Sequence, residues 1–457
     1  MAGRYKEYFE YQPSNDVHIK QLPIGWIMKP LGLVAAKGRT SFVDGPFGSD
    51  LKSDEYQDEG IPLIQLNNIV IGKHILQNMK YITEEKMHQL SRHIAKPNDI
   101  VIAKMAEPVA RAAVVNGQYN KYVIVADCVK LTIDSSIANL SYVVFAINSK
   151  EVNSSAELVS TGTTRIRINL TELKNLKIPF PPLAIQQKIA NFLEHETAKI
   201  DTLIAKQEKL IKLLQEKRQA VISHAVTKGL KPDVLMKNSG IEWLGEVPKH
   251  WAVIPNKRLF ELTPKKSQIE QKKNELCSFI PMDKLKLDSL VLDEEREISS
   301  VFDGYTYFEN EDILIAKVTP CFENKNMVVA RNLRNGIGFG SSEIYVLRCN
   351  DKVNNDFMYY RLQEDGFMSI ATAAMTGAGG LKRVPSDVIS NFSIALPPLD
   401  EQINIVKALK YKLLSFDELS LKAISAIDLM KERKTALISA AVTGKIDVRD
   451  WQPKGIQ

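Results

Sequence analysis

Segments of this 457-residue chain occur twice, in the same order, and that duplication limits the fold more than any other feature. Pro181-Pro182-Leu183 returns as Pro397-Pro398-Leu399, with Gln186 and Ile189 matched by Gln402 and Ile405, all at an offset of 216 residues. ISHAVT at 222–227 returns as ISAAVT at 438–443 at the same offset. NDIVIAK at 98–104 matches EDILIAK at 311–317, and Pro23-Ile24-Gly25-Trp26 corresponds to Pro248-Lys249-His250-Trp251. Four ordered matches mark a tandem repeat. The offset drifts ahead of each Pro-Pro-Leu and hardly at all after it. Each copy is therefore a divergent globular part followed by a constant part.

The constant parts read as long helices. No Gly or Pro interrupts residues 184–228, and Gly229 then Pro232 supply a stop. A seven-residue seam runs Ile189, Leu193, Ile200, Leu203, Leu210, Leu214, Val221, interrupted by Glu196, Gln207, Lys217 and His224. The second copy gives Ile405, Leu409, Phe416, Leu419, Ala423, Ala426, Met430, Leu437, ended by Gly444. About 40 residues at about 1.5 Å each make a helix of about 60 Å. Apolar residues at this spacing seek a partner helix, and the other copy is the obvious one. The divergent parts mix short β runs with turns: residues 99–104, 122–126, 142–147 and 313–318 read as buried or half-buried strands. The fold class expected is α+β: two mixed α/β domains joined by two long antiparallel coiled-coil helices in a pseudo-two-fold tandem repeat. The segments are 1–180, 181–230, 231–396 and 397–457.

Composition bounds the function. The chain is 44% apolar, and 60 Lys and Arg against 54 Asp and Glu leave a net +6. That balance permits a nucleic-acid partner without requiring one. Cys128, Cys277, Cys321 and Cys349 form no C-x-x-C pair, as expected of reduced thiols in the cytoplasm. The N-terminus lacks the apolar core of a signal peptide, and no apolar run approaches the ~20 residues that span a bilayer, so no membrane partner is expected. No G-x-x-x-x-G-K-[ST] phosphate loop and no Asn-Pro-Pro-aromatic segment occurs. Gly336-Ile337-Gly338-Phe339-Gly340 lacks a dinucleotide-site context and reads as a flexible turn. His88 and His93 share no helix face, so no metal ligands are assigned. The acid-rich run Asp44, Asp50, Asp54, Glu55, Asp58, Glu59 reads as a solvated loop rather than a nuclease site. No catalytic residue is assigned either; the chain is expected to bind and position.

SGIEWLGEVPKHW at 239–251, LKIPFPPLAIQQKIANFL at 176–193 and LLQEKRQAVISHAVTKGL at 213–230 carry a resemblance. With the repeat, which spans essentially the whole chain, they resemble the specificity subunit of type I restriction-modification systems. In the first copy the opening segment departs from the pattern, reading Val17-His18-Ile19-Lys20-Gln21-Leu22-Pro23-Ile24-Gly25-Trp26. The resemblance implies two target-recognition domains alternating with conserved helices, and a non-catalytic role. It further implies double-stranded DNA, two methyltransferase subunits and restriction/translocase subunits as partners. No cofactor would be bound by this chain; S-adenosylmethionine, ATP and Mg would belong to the partners. The target expected is asymmetric and in two parts, one per domain, spaced by helix length. The alternatives are a single-chain nuclease or methyltransferase, against which the missing motifs argue, and a coiled-coil scaffold with two protein-binding domains.

Base readout needs forked or amide side chains, whereas phosphate contacts need only positive charge. In the first domain the DNA-binding candidates are Lys104, Arg111, Thr163, Thr164, Arg165, Arg167 and Lys174. The loop at 161–167 looks like the family's glycine-containing loop ahead of the helix. In the second domain, residues 375–383 with Lys382 and Arg383 occupy the matching position, and Lys317, Lys325, Arg331 and Arg334 add charge. Gly45-Pro46-Phe47-Gly48-Ser49 is similar to the family too, and reads as a tight turn with Phe47 packed. Ile204, Ile211, Leu413 and Ile427 on the long helices are expected to dock partners; otherwise they widen the intramolecular seam.

Overall fold

A computed structural model describes residues 5–105, 107–162 and 166–453, with the backbone alone for Gln268. The chain forms two compact units, Met1–Gln207 with Ser425–Gln457, and Glu208–Ile424. Each holds one globular domain and a part of each long helix.

In the first unit, one antiparallel sheet runs in the order Ala112–Val114, Ile100–Ala103, Cys128–Leu131, Phe42–Asp44. The run Ile100-Val101-Ile102-Ala103 is apolar throughout because both faces of its sheet are covered. Ile100 and Ile102 join the core made with the helices, while Val101 and Ala103 pack toward a second sheet. That sheet runs Tyr81–Ile82, Ile61–Ile64, Tyr122–Ile124, Ile94–Ala95, with Ile61–Ile64 parallel to Tyr122–Ile124.

The second unit rebuilds the same plan. Its first sheet runs Phe260–Leu262, Ile344–Cys349, Ile313–Ala316, Met327–Val329. Its second runs Glu295–Glu297, Leu276–Ile280, Ile337–Gly340, Thr306–Glu309, again with one parallel pair, Leu276–Ile280 beside Ile337–Gly340. Ile313 and Ile315 face the helical core, and Leu314 and Ala316 the core on the other side. The duplication seen in short strings thus extends to strand order.

Two expectations fail here. Residues 142–147 are not a strand but part of a helix, Leu140–Ile147, started by Asn139, whose side chain accepts a hydrogen bond from the Tyr142 amide. A short apolar run buried all round has no period to tell helix from strand. Ile337–Gly340 is a fully buried strand, not a flexible turn. A Cβ on Gly338 would lie 2.1 Å from the Phe308 ring, and one on Gly340 would lie 2.7 Å from the Ile280 carbonyl oxygen. These glycines admit close neighbours rather than a bend.

The long helices run Leu183–Lys228, 46 residues, and Leu399–Val442, 44 residues. They pack antiparallel. In the first unit Asp201 bonds Lys434 at 2.6 Å and Lys188 Nζ donates to the Arg449 carbonyl at 2.6 Å. In the second, Arg218 lies 3.6 Å from Asp417. Burial fixes the packed face. It follows 200, 204, 207, 211, 214 and 218 on the first helix and 416, 420, 423, 427, 430 and 434 on the second, alternating steps of four and three. The two sets are 216 residues apart throughout, so the register of the repeat is kept.

Each helix is pinned to its domain by a buried glutamine. Gln186 donates to the carbonyls of Pro181 at 2.8 Å and Ile137 at 3.1 Å, and accepts from the Asn139 amide at 2.9 Å. Gln402 repeats this with Pro397 at 2.9 Å, Lys352 at 3.0 Å and the Asn354 amide at 2.7 Å. The end of the second helix also meets the start of the chain. The Tyr11 hydroxyl donates to the Gly444 carbonyl at 3.0 Å, and the Asp447 amide to the Lys6 carbonyl at 2.7 Å. Gly444 then lies against Trp26 as Gly229 lies against Trp251.

Candidate nucleic-acid interface

Ahead of its Pro-Pro-Leu corner each domain has a segment that ends on a bridged arginine, and the described bases of the two are alike. In the first, Thr161 and Arg167 exchange backbone hydrogen bonds at 3.0 and 2.9 Å, and Arg167 also bridges Met105. In the second, Thr376–Ala378 and Leu381–Arg383 form a fully exposed hairpin, and Arg383 bridges Val318. Its turn residues, Gly379 and Gly380, have φ of +64° and +82°, as a two-residue hairpin turn requires. The Thr319 hydroxyl fastens the hairpin, donating to the Gly380 carbonyl at 2.8 Å and accepting from the Lys382 amide at 3.0 Å. An arginine closes each loop and is steadied by a carboxylate: Arg167 by Asp127 at 2.8 Å, Arg383 by Glu343 through two bonds of 2.9 and 2.8 Å. Both arginines remain about half exposed.

Among the other candidates, several cations have structural work. Lys104 is only 4% exposed and its ammonium sits 3.0 Å from Asp44. Arg111 donates to the carbonyls of Ile69 at 2.7 Å, Leu66 at 2.8 Å and Met105 at 3.1 Å, and partial burial pulls its pKa down. Lys325 donates to Gln219 Oε1 at 2.8 Å and the Gln363 carbonyl at 2.9 Å, tying its domain to the first long helix within the second unit. Arg331 is shared between Glu311, at 2.8 and 2.9 Å, and Asp356, at 3.1 Å twice. These four are occupied inside the protein. Lys174 and Lys317 are half-buried, with ammonium groups 5.7 Å from the Phe42 ring and 5.0 Å from the Tyr345 ring. Arg334 is exposed, 3.6 Å from Glu295. Lys382 is exposed on the hairpin. Thr163, Thr164 and Arg165 lie outside the described residues.

The acidic run divides as well. Asp44 is engaged by Lys104, and Glu55, paired with Lys86, has a lowered pKa because it accepts from the Lys52 amide and then from Lys86. Phe47 is 80% exposed rather than packed.

On the long helices the expected docking residues turn inward. Leu413 is 4% and Ile427 7% exposed, and Ile204 and Ile211 are half-buried on the seam. They widen the intramolecular packing. Leu203, Leu210 and Leu419, assigned to the seam, are instead exposed, as are Leu213, Tyr411, Leu414 and Leu421. A reading that follows leucines slips by one position at 203, 210 and 419, where the packed residues are Ile204, Ile211 and Ser420.

The comparisons with known proteins place this geometry. Residues 48–213 and 248–425 match the family model described as type I restriction modification DNA specificity domain. The type I restriction enzyme EcoEI specificity subunit of Escherichia coli is 28% identical over 50% of this chain and 39% of its own length. The EcoAI specificity subunit of Escherichia coli is 32% identical over 48% of this chain and 37% of its own length. The chain thus spans under half the length of those two relatives. A chain solved in work on complex assembly and conformational transition of the type I R-M system superposes with a TM-score of 0.67. It shares 15% identity over 93% of this chain and 99% of that one, a likeness of fold. No described helix is long and apolar enough to cross a membrane.

Proposed function

Because the chain belongs to the type I restriction modification DNA specificity domain family, we propose that it is the DNA-reading, non-catalytic subunit of a cytoplasmic type I restriction-modification complex. Each globular domain reads one half of an asymmetric, two-part duplex target. The observation that carries this reading is the doubled loop. Equivalent arginines, Arg167 and Arg383, are bridged to equivalent strand ends, Met105 and Val318, and the segments that end on them, 161–167 and 376–383, differ in sequence. Equal scaffolds with unequal reading edges suit two unequal half-sites.

Methyl transfer and DNA cleavage then fall to partners: two methyltransferase subunits and the restriction/translocase subunits. S-adenosylmethionine, ATP and Mg bind there. The exposed apolar residues of the long helices, Leu213, Tyr411, Leu414 and Leu421 among them, supply the docking surface that the buried positions do not. A net charge of +6 fits a subunit that shares its hold on DNA with others.

The test is a gel-retention assay with fragmented genomic DNA, using this chain reconstituted with its methyltransferase subunit. Retention that needs both proteins supports the reading. Assembly without retention would leave a coiled-coil scaffold, and methyl transfer by the chain alone would make it an enzyme.

A further inference from the structure

At the edges where the two domains differ most, one small assembly is the same in both. The sheet registers fix the comparison: Cys128 lies opposite Ala103 as Ile344 lies opposite Ala316, so Asp127 corresponds to Glu343. The Asp127 carbonyl accepts from the Lys104 amide and the Glu343 carbonyl from the Lys317 amide, each at 2.9 Å. The amides of Ile168 and Val384, both buried, donate to the carbonyls of Lys104 and Lys317 at 3.0 and 2.9 Å. Arg167 and Arg383 stand just before these two residues, each 2.8 Å from its own carboxylate. A Thr-Gly pair opens both segments, Thr161-Gly162 and Thr376-Gly377, with φ of +111° and +147° at the glycines. Between glycine and arginine the copies part. The first has four residues, Thr163-Thr164-Arg165-Ile166, and the second five, Ala378-Gly379-Gly380-Leu381-Lys382.

Closing these segments does not require an arginine side chain. Thr161 and Thr376 pair with Arg167 and Arg383 through the main chain, which any residue but proline supplies. The side chains nevertheless remain half exposed in both copies. Glu343 takes Nε and Nη2 of Arg383, and Nη1 has no partner among the described residues. That carboxyl is held below its usual range by the bonds from Arg383, and the charge of Lys317 acts on it too. Two cations thus answer one carboxylate, and the exposed Lys382 stands next in the chain. Two domains that read different half-sites share no pattern of bases, but both face the same sugar–phosphate backbone. A phosphate takes charge and N–H donors whatever the sequence. The shared part of each edge therefore suits the backbone, and the unshared part the bases.

Resting on the proposed DNA-reading role, we infer that Arg167 and Arg383 each grip a backbone phosphate at equivalent points of the two half-sites, while the unequal segments 163–166 and 378–382 tell the half-sites apart.

The test uses the full chain assembled with its methyltransferase subunit, and a duplex carrying the methylated site mapped from the host genome. Arg383→Ala is expected to lower the slope of log affinity against log salt by about one, and to weaken binding alike on every duplex. Arg167→Ala should do the same, and the double variant should lower the slope by about two. Arg383→Gln still offers Glu343 a donor but carries no charge, so its slope should match that of Arg383→Ala. Arg383→Lys keeps the charge without the fork and should keep the native slope. In cells, all these variants should methylate the native sequence. Replacing 378–382 with five Gly and Ser residues should relax one part of it.

If Arg383→Ala and Arg383→Gln keep the native slope, the arginine only closes its loop and the inference is overturned, while the DNA-reading role stands. If Arg383→Lys or Arg383→Gln changes the bases accepted at one part, the arginine reads a base, and the inference is again overturned. If the native complex itself retains no DNA, the underlying role fails instead.

Discussion

An arginine or lysine can meet a ligand or tie its own loops together, and burial with ready partners decides between these uses. Arg111 and Arg331 belong to the second kind, with carbonyls or carboxylates on most of their donors. Arg111→Ala is expected to cost about 2–4 kcal/mol in chemical denaturation, since it strands several carbonyls at once. Lys382, exposed on the hairpin, is proposed to belong to the first kind. Lys382→Ala should leave stability within about 0.5 kcal/mol of native and lower the salt slope of DNA binding by about one. None of this division was legible in the sequence, where all these cations look alike. His74 offers a pH test at the same scale. Burial pushes its pKa from 6.5 down to about 4, and Nδ1 already accepts from the Asn116 amide at 3.0 Å. The folded form therefore holds it neutral. Its contribution is complete above pH 6.5 and is lost as the pH falls from 6.5 toward 4. Thermal melts of native and His74→Gln chains should converge over that interval.

The long helices show what periodicity can and cannot deliver. Their existence, limits and pairing were readable from uninterrupted runs bounded by Pro-Pro-Leu and Gly, because such signals are local. Their packed face was readable only in part: Ile200, Leu214, Phe416, Ala423 and Met430 lie on it, but a reading by leucine puts Leu203, Leu210 and Leu419 in place of Ile204, Ile211 and Ser420. Adjacent residues now separate the two faces. Leu413→Asp should destabilise the chain by about 3 kcal/mol or more, since it buries a charge without a partner. Leu414→Asp should stay within about 0.5 kcal/mol of native yet weaken assembly with the methyltransferase subunit, read by gel filtration. Removing one heptad from both helices at equivalent positions shortens each by about 10 Å and preserves the seam. The spacer between half-sites should shorten while their bases persist.

At the scale of the whole molecule, the repeat was the most informative feature, and it was legible because duplication leaves matching strings wherever packing is strict. NDIVIAK and EDILIAK are such strings: their strands are covered on both faces, so both copies keep the same apolar run. The proposed reading edges left no such trace, because exposed loops are free to diverge, and divergence there is what the proposed reading of two different half-sites requires. The claim of one half-site per domain is tested most directly by sequencing methylated bases in DNA from cells carrying the native complex, and then a variant altered only in the hairpin at 376–383. The native pattern should be a single asymmetric sequence in two parts separated by unspecified bases, and the hairpin variant should change one part alone. A continuous or palindromic target, or a hairpin variant that alters both parts together, would contradict it.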